Sequence, residues 1–124
     1  RIGPDVEFVD EKAFYSCWAL QNIEVDENNP NYCDVDGVLF NKDKTELLIC
    51  PNLSDRKTFM VLDSVSTIGE RAFYGCSYLE KVTIADSVAV IKEEAFANTS
   101  LEQLKLPSNL KVLSKKVFIK LIIK

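Results

Sequence analysis

The 124-residue chain contains no histidine, one methionine and one tryptophan. Without histidine it lacks the commonest general base and the commonest metal ligand of proteins. It contains no Cys-x-x-Cys pair, and its acidic stretch from Asp26 to Asp36 lacks the spacing of a calcium-binding loop. We therefore expect no cofactor, no metal site, no catalytic residue and no enzymatic activity.

Long apolar runs and a basic charge excess are also missing. No segment reaches the roughly 18 apolar residues that a membrane-spanning helix requires. The 15 Lys and Arg are outnumbered by 19 Asp and Glu, and Lys111, Lys115 and Lys116 form the main basic group, so we expect no nucleic-acid partner. Hydrophobic residues make up 47% of the chain, which excludes a disordered chain, and the length of 124 residues indicates a single domain. We expect no transmembrane segment in it.

What the chain does contain is a repeated unit. The stretch 79–84 reappears at 101–106, at 20–25 and less clearly at 59–61. The matching strand ends are Val25, Val61, Ile84 and Leu106, at steps of 36, 23 and 22 residues. A second pattern, V-x-x-I-G-x-x-A-F-x-x-C, recurs between them. A fixed period in the low twenties predicts a solenoid, in which one supersecondary unit stacks on itself.

The pattern predicts an α/β repeat fold, a right-handed solenoid with one parallel sheet. Its strands are expected near residues 23–25, 59–61, 82–84 and 104–106, with short helical turns at the Ala-Phe pairs on the opposite side. Gly69 is expected to adopt a backbone conformation that other residues disfavour. One phenylalanine per coil, except at the longest step, is expected to stack in a buried column: Phe14, Phe73, Phe96 and Phe118.

The 36-residue step indicates an interruption. Two apolar runs flank the polar turn 41–45, which predicts a β-hairpin in place of the helical turn of that coil. The single domain then divides into units 1–19, 20–55 with the hairpin, 56–78, 79–100 and 101–124. Because the chain begins and ends inside a repeat, we expect it to be a piece of a longer protein, or one whose ends find a partner.

The C-terminal residues are too apolar to be a solvated tail. We expect them either to cap the last coil or to mediate self-association with a second molecule. The residues concerned are Val117, Phe118, Ile119, Leu121, Ile122 and Ile123.

The four cysteines fall into two pairs. Cys17 and Cys76 occupy the same slot of the repeat and are expected to be buried free thiols. Cys33 and Cys50 flank the predicted hairpin, but the predicted register leaves Cys33 four residues out of step. The register therefore favours free thiols over a disulfide at this pair, and the redox state stays open.

The unit resembles the BspA-type leucine-rich repeat, and the stretch 26–51 resembles the hairpin insertion common in that family. Leu62 and Ala85 depart from it, because they stand where the family usually has the proline seen at Pro107. The resemblance implies a secreted or cell-surface bacterial protein that acts in adhesion. Its partner would be a protein ligand, such as a host or extracellular-matrix protein.

Two groups of residues are candidates for binding. The first is a strip of outward strand positions on successive coils: Asn22, Glu24, Met60, Lys81, Thr83, Gln103 and Lys105. The second is a pair of aromatic residues near the Ala-Phe turn, Trp18 and Tyr78. Three alternatives remain open: the strip is merely solvated, Trp18 packs against the hairpin, or the chain is a rigid spacer that displays another domain and binds no ligand.

Overall fold

The structure is a computed structural model that describes residues 1–14, 20–52, 54–102, 104–114 and 116–117. The described residues form short strands joined by tight turns, with one 3₁₀ turn at Glu11–Phe14. The strands are β1 (Tyr32–Val35), β2 (Val38–Asn41), β3 (Glu46–Ile49), β4 (Thr58–Met60), β5 (Thr67–Ile68), β6 (Lys81–Thr83), β7 (Val90–Ile91) and β8 (Val112–Leu113).

A small sheet consists of β4 and β6, which pair in parallel with Thr58 opposite Lys81 and Met60 opposite Thr83. These are the strands predicted near 59–61 and 82–84, each displaced by one residue. The other two predicted strands do not join them. Val25 forms only an isolated bridge with Ile2, and the described residues 104–106 carry no strand. The prediction of one four-stranded parallel sheet is therefore wrong.

A large sheet lies on a second corner of the coils, in the order β1-β2-β3-β5-β7-β8. β1 pairs antiparallel with β2, and β2 pairs antiparallel with β3. From β3 onwards the pairing is parallel, between β3 and β5, β5 and β7, and β7 and β8. No strand was predicted in the V-x-x-I half of the unit, which contains β5 and β7. Thr67–Ile68 and Val90–Ile91 consist of β-branched residues, which favour extended backbone. Successive coils therefore form hydrogen bonds between strands in two sheets, the small one and the large one.

Two turns join the antiparallel strands. Asp36 and Gly37 connect β1 to β2 with φ values of 52° and 80°, the left-handed pair that an Asp-Gly hairpin turn requires. The turn between β2 and β3 is held by the side chain of Asn41, whose Oδ1 accepts hydrogen bonds from the amides of Thr45 and Glu46, both at 2.9 Å. The three strands thus follow one another without a crossover.

Strands β2 and β3 separate two hydrophobic clusters. One set of their side chains faces the main core: Val38, Phe40 and Leu47. The other set faces a smaller cluster at the N-terminal end: Leu39, Leu48 and Ile49. The register shifts between Leu39 and Phe40. Because both faces are covered, the hairpin is an internal layer of the domain.

The predicted phenylalanine column exists in part. Phe73 and Phe96 are fully buried and stacked, with ring centroids 5.1 Å apart, and Phe59 packs edge-on against Phe73. Phe14 is half-buried and packs against the N-terminal cluster, on the other side of the hairpin, so the prediction is wrong for Phe14. Phe118 lies outside the described residues.

The predicted short helical segment is present at the first Ala-Phe pair, as the 3₁₀ turn Glu11–Phe14, but residues 70–75 and 93–98 form turns without helix. These turns also differ from the prediction in their left-handed residue. The left-handed residue of each turn is the one directly before the buried Ala or Val: Arg71, Glu94 and Lys116 have φ of 54°, 56° and 63°. Gly69 does not have a positive φ. A Cβ atom at Gly69 would lie 3.0 Å from the carbonyl oxygen of Leu47, so the glycine serves close approach between coils.

Cys33, Cys50 and Cys76 are free thiols, and Cys17 lies outside the described residues. Cys76 is buried, with its Sγ 3.5 Å from the carbonyl oxygen of Cys50. This contact between coils was not predicted. The two residues are 26 positions apart, and they meet only because the coil that contains Cys76 packs against the segment after β3.

The start of the apolar C-terminal segment belongs to the core. Val117 is 1% exposed, and its carbonyl oxygen accepts a hydrogen bond from the amide of Phe96 at 3.1 Å. Val117 is therefore not available to a second molecule, contrary to the self-association prediction for this residue. The other members, Phe118, Ile119 and 121–123, lie outside the described residues. Over the described ranges, no helix has the length and apolar character needed to cross a membrane.

Candidate functional site

The outward face of the small sheet is the candidate binding surface. Thr58, Met60, Lys81 and Thr83 are exposed on it, whereas Phe59 and Val82 point inward. Alternation along each strand causes this division, because successive side chains of a strand point to opposite faces. Met60 is 73% exposed, so this face presents a large apolar side chain to solvent.

A groove of about 600 Å³ opens beside Met60. Its walls come from β4 and the segments on either side of it, from the end of β6, and from the β1–β2 hairpin at and after its turn. The lining residues are Val35, Asp36, Phe40, Arg56, Thr58, Phe59, Met60, Val61, Leu62, Asp63, Thr83 and Ala85. Apolar side chains predominate, and the charged groups Asp36, Arg56 and Asp63 also line it.

Arg56 connects the β1–β2 turn to β4 at one wall of the groove. Its guanidinium donates hydrogen bonds to the carbonyl oxygen of Asp36 and to Oγ of Ser54. The same guanidinium lies 5.6 Å from the centre of the Phe59 ring, within the range of a cation–π contact. One side chain therefore fixes the β1–β2 turn relative to β4.

The predicted strip is not continuous across the coils. The amide of Ile23 donates to the carbonyl oxygen of Gly37 at 2.9 Å, so the Asp36–Gly37 turn lies beside the first coil. Because Arg56 bonds the other side of that turn, the turn stands between Asn22 and Glu24 on one side and β4 on the other. Asn22 and Glu24 are exposed, but they do not line the groove.

The remaining candidates are more dispersed. Lys105 is exposed on the last coil, next to Leu106, which is also partly exposed. Tyr78 is 51% exposed, but it is not among the residues that line the groove. Gln103 and Trp18 lie outside the described residues. The structure therefore brings together Met60, Lys81 and Thr83 from the predicted set.

Sequence reasoning missed most of the groove. Val35 and Phe40 were not candidates, because their positions depend on where the β1–β2 hairpin folds. Leu62, in the segment after β4, was not a candidate either. The Asp36-Gly37 pair is the one sequence signal that could have placed this hairpin. Nothing in the sequence shows that the turn would dock beside β4 through Arg56.

The arrangement offers surface for contact rather than groups for chemistry. Over the described ranges, no cluster of three or more His, Cys, Asp or Glu residues could hold a metal ion. Burial raises the pKa of Cys33, and a hydrogen bond with Cys50 together with burial raises the pKa of Cys76. These thiols stay protonated near neutral pH, so they are poor nucleophiles.

The chain matches the model of a known family, the BspA type leucine rich repeat region, in six copies over residues 1–52 and 47–122. No curated protein sequence matches the chain.

Solved structures give the same picture. A leucine-rich repeat protein from Eubacterium ventriosum aligns with a TM-score of 0.80 at 29% identity, over 90% of this chain and 30% of its own. A leucine-rich cell surface protein from Faecalibacterium prausnitzii aligns at 0.77 and 31%, over 86% and 28%. The pneumococcal vaccine antigen PcpA aligns at 0.71 and 33%, over 73% and 23%. The chain thus spans less than a third of each of these structures.

Proposed function

Because the chain belongs to the BspA-type leucine-rich repeat family, we propose that it is a non-enzymatic protein-binding module of a secreted or cell-surface bacterial protein that acts in adhesion. Its coils wind to the right, as crossover connections between parallel strands nearly always do. The β1–β3 hairpins form an insertion in the second of its five units, 1–19, 20–55, 56–78, 79–100 and 101–124.

The observation that carries this proposal is the exposure of Met60 beside the groove. A solvated sheet position is normally polar, yet here a flexible apolar side chain faces water. Methionine adapts its shape to different partner surfaces and is common at binding sites for that reason. An apolar residue of a protein partner would enter the groove and bury Met60 together with the Phe59 ring edge.

The neighbouring polar groups would give the contact its specificity. Lys81 and Thr83 lie on the same face as Met60, and Asp63 lines the groove. A partner that left these groups without counterparts would be penalised by their lost hydration. The face carries charges of both signs, so the contact would depend on shape more than on net charge.

The similar structures support the proposed location at the cell surface, but they do not identify a binding partner. One of them is described as a cell surface protein and another as a vaccine antigen. Both descriptions are typical of proteins outside the cytoplasm. The partner, a host or extracellular-matrix protein, is part of the proposal.

The test is a direct binding measurement. The purified chain would be passed over immobilised fibronectin, laminin, fibrinogen and collagen, and the binding signals compared. For a ligand that binds, Met60→Ala should weaken binding by roughly tenfold, the effect of losing about 1.4 kcal/mol at a central apolar contact. Met60→Asp should weaken it further, because it would place a charge in the buried interface.

Tyr78→Ala is the matched control, since Tyr78 is also an exposed large side chain but does not line the groove. Equal losses in Met60→Ala and Tyr78→Ala would remove the groove from the proposal. If no member of the panel binds the wild-type chain, the alternative function is favoured: a rigid spacer that displays another domain.

A further inference from the structure

Strand β4 pairs with a neighbour on one side. Within the described ranges, the small sheet consists of β4 and β6 alone. The carbonyl oxygen of Lys57 accepts a hydrogen bond from the amide of Lys81 at 3.1 Å, and the amide of Val61 donates to the carbonyl oxygen of Thr83 at 2.9 Å. Alternate residues of a strand bond to the same neighbour in a parallel ladder. Lys57, Phe59 and Val61 therefore direct their backbone groups towards β6.

Thr58 and Met60 lie between these residues and direct their backbone groups away from β6. Apart from the ladder with β6, no hydrogen bond from the part of the chain that the structure describes reaches the N–H or C=O group of either residue. Both residues are exposed. The outer edge of β4 thus offers an N–H donor and a C=O acceptor on alternate residues, the pattern with which an added strand pairs.

The preceding coil does not occupy this edge. The amide of Ile23 on that coil donates to the carbonyl oxygen of Gly37 at 2.9 Å. Arg56 donates to the carbonyl oxygen of Asp36 on the other side of the same turn. The turn therefore stands where the strand of a regular coil would pair, and none of the backbone hydrogen bonds among the described residues joins the turn to β4.

The groove lies along this edge. Thr58 and Met60 line it on the β4 side, and Val35, Asp36 and Phe40 line it on the hairpin side. Because β4 has three residues, the edge is about 10 Å long and fits a short extended segment. Every second side chain of such a segment would point into the groove, against Phe40 and Val35.

We infer that the partner enters the groove as an extended segment that adds a strand to the free edge of β4 and bonds to the backbone of Thr58 and Met60. This inference rests on the proposed function, because it specifies how the same groove binds its protein partner. Backbone pairing supplies affinity that depends little on the sequence of the partner. Apolar side chains at alternate positions of the segment supply the selectivity.

Hydrogen exchange of the free chain, followed by NMR, tests whether the edge is open. The amides of Thr58 and Met60 should exchange at least about tenfold faster than those of Phe59 and Val61, after correction for intrinsic rates, because the latter two bond to β6. Equal protection of these amides would mean that another group already pairs with the edge, and it would overturn the inference.

The ligand test uses a phage library that displays random linear peptides. The library is depleted on immobilised Thr58→Pro chain and then selected on the wild-type chain. This variant removes an N–H group of the free edge but no hydrogen bond to β6, and the first residue of a strand tolerates proline. Peptides should be recovered after the depletion. If none is enriched over a surface without protein, the inference is wrong.

Thr58→Val is the matched comparison, because it changes the same side chain but keeps the N–H group. Synthetic copies of the selected peptides should bind Thr58→Val at least about tenfold more tightly than Thr58→Pro, which corresponds to about 1.4 kcal/mol. Thermal melts should show that both variants remain folded. Equal affinities of the two variants would contradict backbone pairing.

A second measurement does not depend on the proline variant. N-methylation removes one N–H group of the peptide at a time, so in an added strand it should abolish binding at every second position and be tolerated between them. The same peptides should slow the exchange of the Thr58 and Met60 amides of the wild-type chain. Loss without this alternation, or no protection of these two amides, would contradict the inference.

A second copy of the chain is the alternative occupant of the edge. Analytical ultracentrifugation of the wild type and of Thr58→Pro decides between the two, and we expect the same average mass for both. A wild-type dimer that Thr58→Pro dissociates would assign the edge to a second copy and overturn the inference.

The proposed function and this inference fail in different ways. If Met60→Ala weakens the binding of a matrix protein while Thr58→Pro and Thr58→Val bind it equally, the groove binds a protein without an added strand. If Met60→Ala leaves that binding unchanged, the proposed function fails. Selected peptides that protect the Thr58 amide would then still establish the strand contact.

Discussion

The rings of Phe73 and Phe96 lie parallel, 5.1 Å apart and inclined by only 8°, although 23 residues of chain separate them. Both residues are fully buried and occupy the same slot of successive coils. Because the coil around Phe96 repeats the path of the coil around Phe73, equivalent side chains of these two coils stack on each other.

Removing one ring of this pair should destabilise the fold strongly. We expect Phe73→Ala to lower the free energy of unfolding by about 3–5 kcal/mol, because it deletes a buried ring that Phe59 and Phe96 both contact. Urea denaturation followed by circular dichroism gives the value. Phe8→Ala, at a 75% exposed position, is the control and should change stability by less than about 0.5 kcal/mol. Equal effects at the two sites would contradict the packing.

A buried asparagine should be equally sensitive to a change of one atom. Asn29 is fully buried, and its Nδ2 donates to the carbonyl oxygens of Gly3 and Val6 at 2.9 and 3.0 Å. Asn29→Asp keeps the shape but replaces the donor with an oxygen and adds a charge. We expect a loss of about 2–5 kcal/mol in the free energy of unfolding.

The neighbouring residue provides the comparison for this prediction. Asn28→Asp introduces the same charge at an exposed position and should have little effect on the urea midpoint. Similar midpoints for Asn29→Asp and Asn28→Asp would show that Asn29 does not tie the N-terminal segment to the coil.

Replacing a glycine by alanine should lower stability where another coil lies close to the glycine, and should have little effect where the space beside it is open. We expect Gly69→Ala to lower stability by about 1 kcal/mol, because the new methyl group would lie 3.0 Å from the Leu47 carbonyl oxygen. Gly3→Ala meets nothing within 4 Å and should be neutral or slightly stabilising. Thermal melts of the two variants test this ordering, and a reversed order would be inconsistent with the coil spacing at Gly69.

Thiol labelling should follow burial. Cys33 is half-buried, whereas Cys50 and Cys76 are buried, so iodoacetamide should modify Cys33 before these two. Burial raises the pKa of Cys33 above its ordinary value of 9.0, and only the thiolate reacts. Its labelling rate should therefore still be rising between about pH 8 and about pH 9.5. Peptide mapping by mass spectrometry follows each cysteine separately, and a rate that levels off below pH 8 would contradict the shift.

The solenoid and the small sheet were predictable because they rest on a long periodic signal. Val61 and Ile84 recur at the right spacing, and the strands β4 and β6 lie within one residue of the predicted ones. The large sheet was missed because a strand of two residues, such as Thr67–Ile68, is too short to show alternation. Such a strand is identified only by its pairing with the strands of neighbouring coils, which the sequence does not show.

The groove was beyond the reach of sequence analysis for a different reason. It depends on a hydrogen bond from Arg56 to the backbone of Asp36, 20 residues earlier. Neither residue type indicates that contact, because any arginine can bond any carbonyl group. Met60 could be predicted as outward-facing from its strand position, but the cavity beside it could not.

The left-handed position before Ala72, Ala95 and Val117 has a consequence for how such a chain can change. Arg71, Glu94 and Lys116 adopt nearly the same φ with side chains of different length and charge. The position therefore excludes branching at Cβ rather than any particular chemistry. We therefore expect that one coil that begins and ends at this position can replace another, or be duplicated. The exposed side chains would then change while the backbone path stays the same.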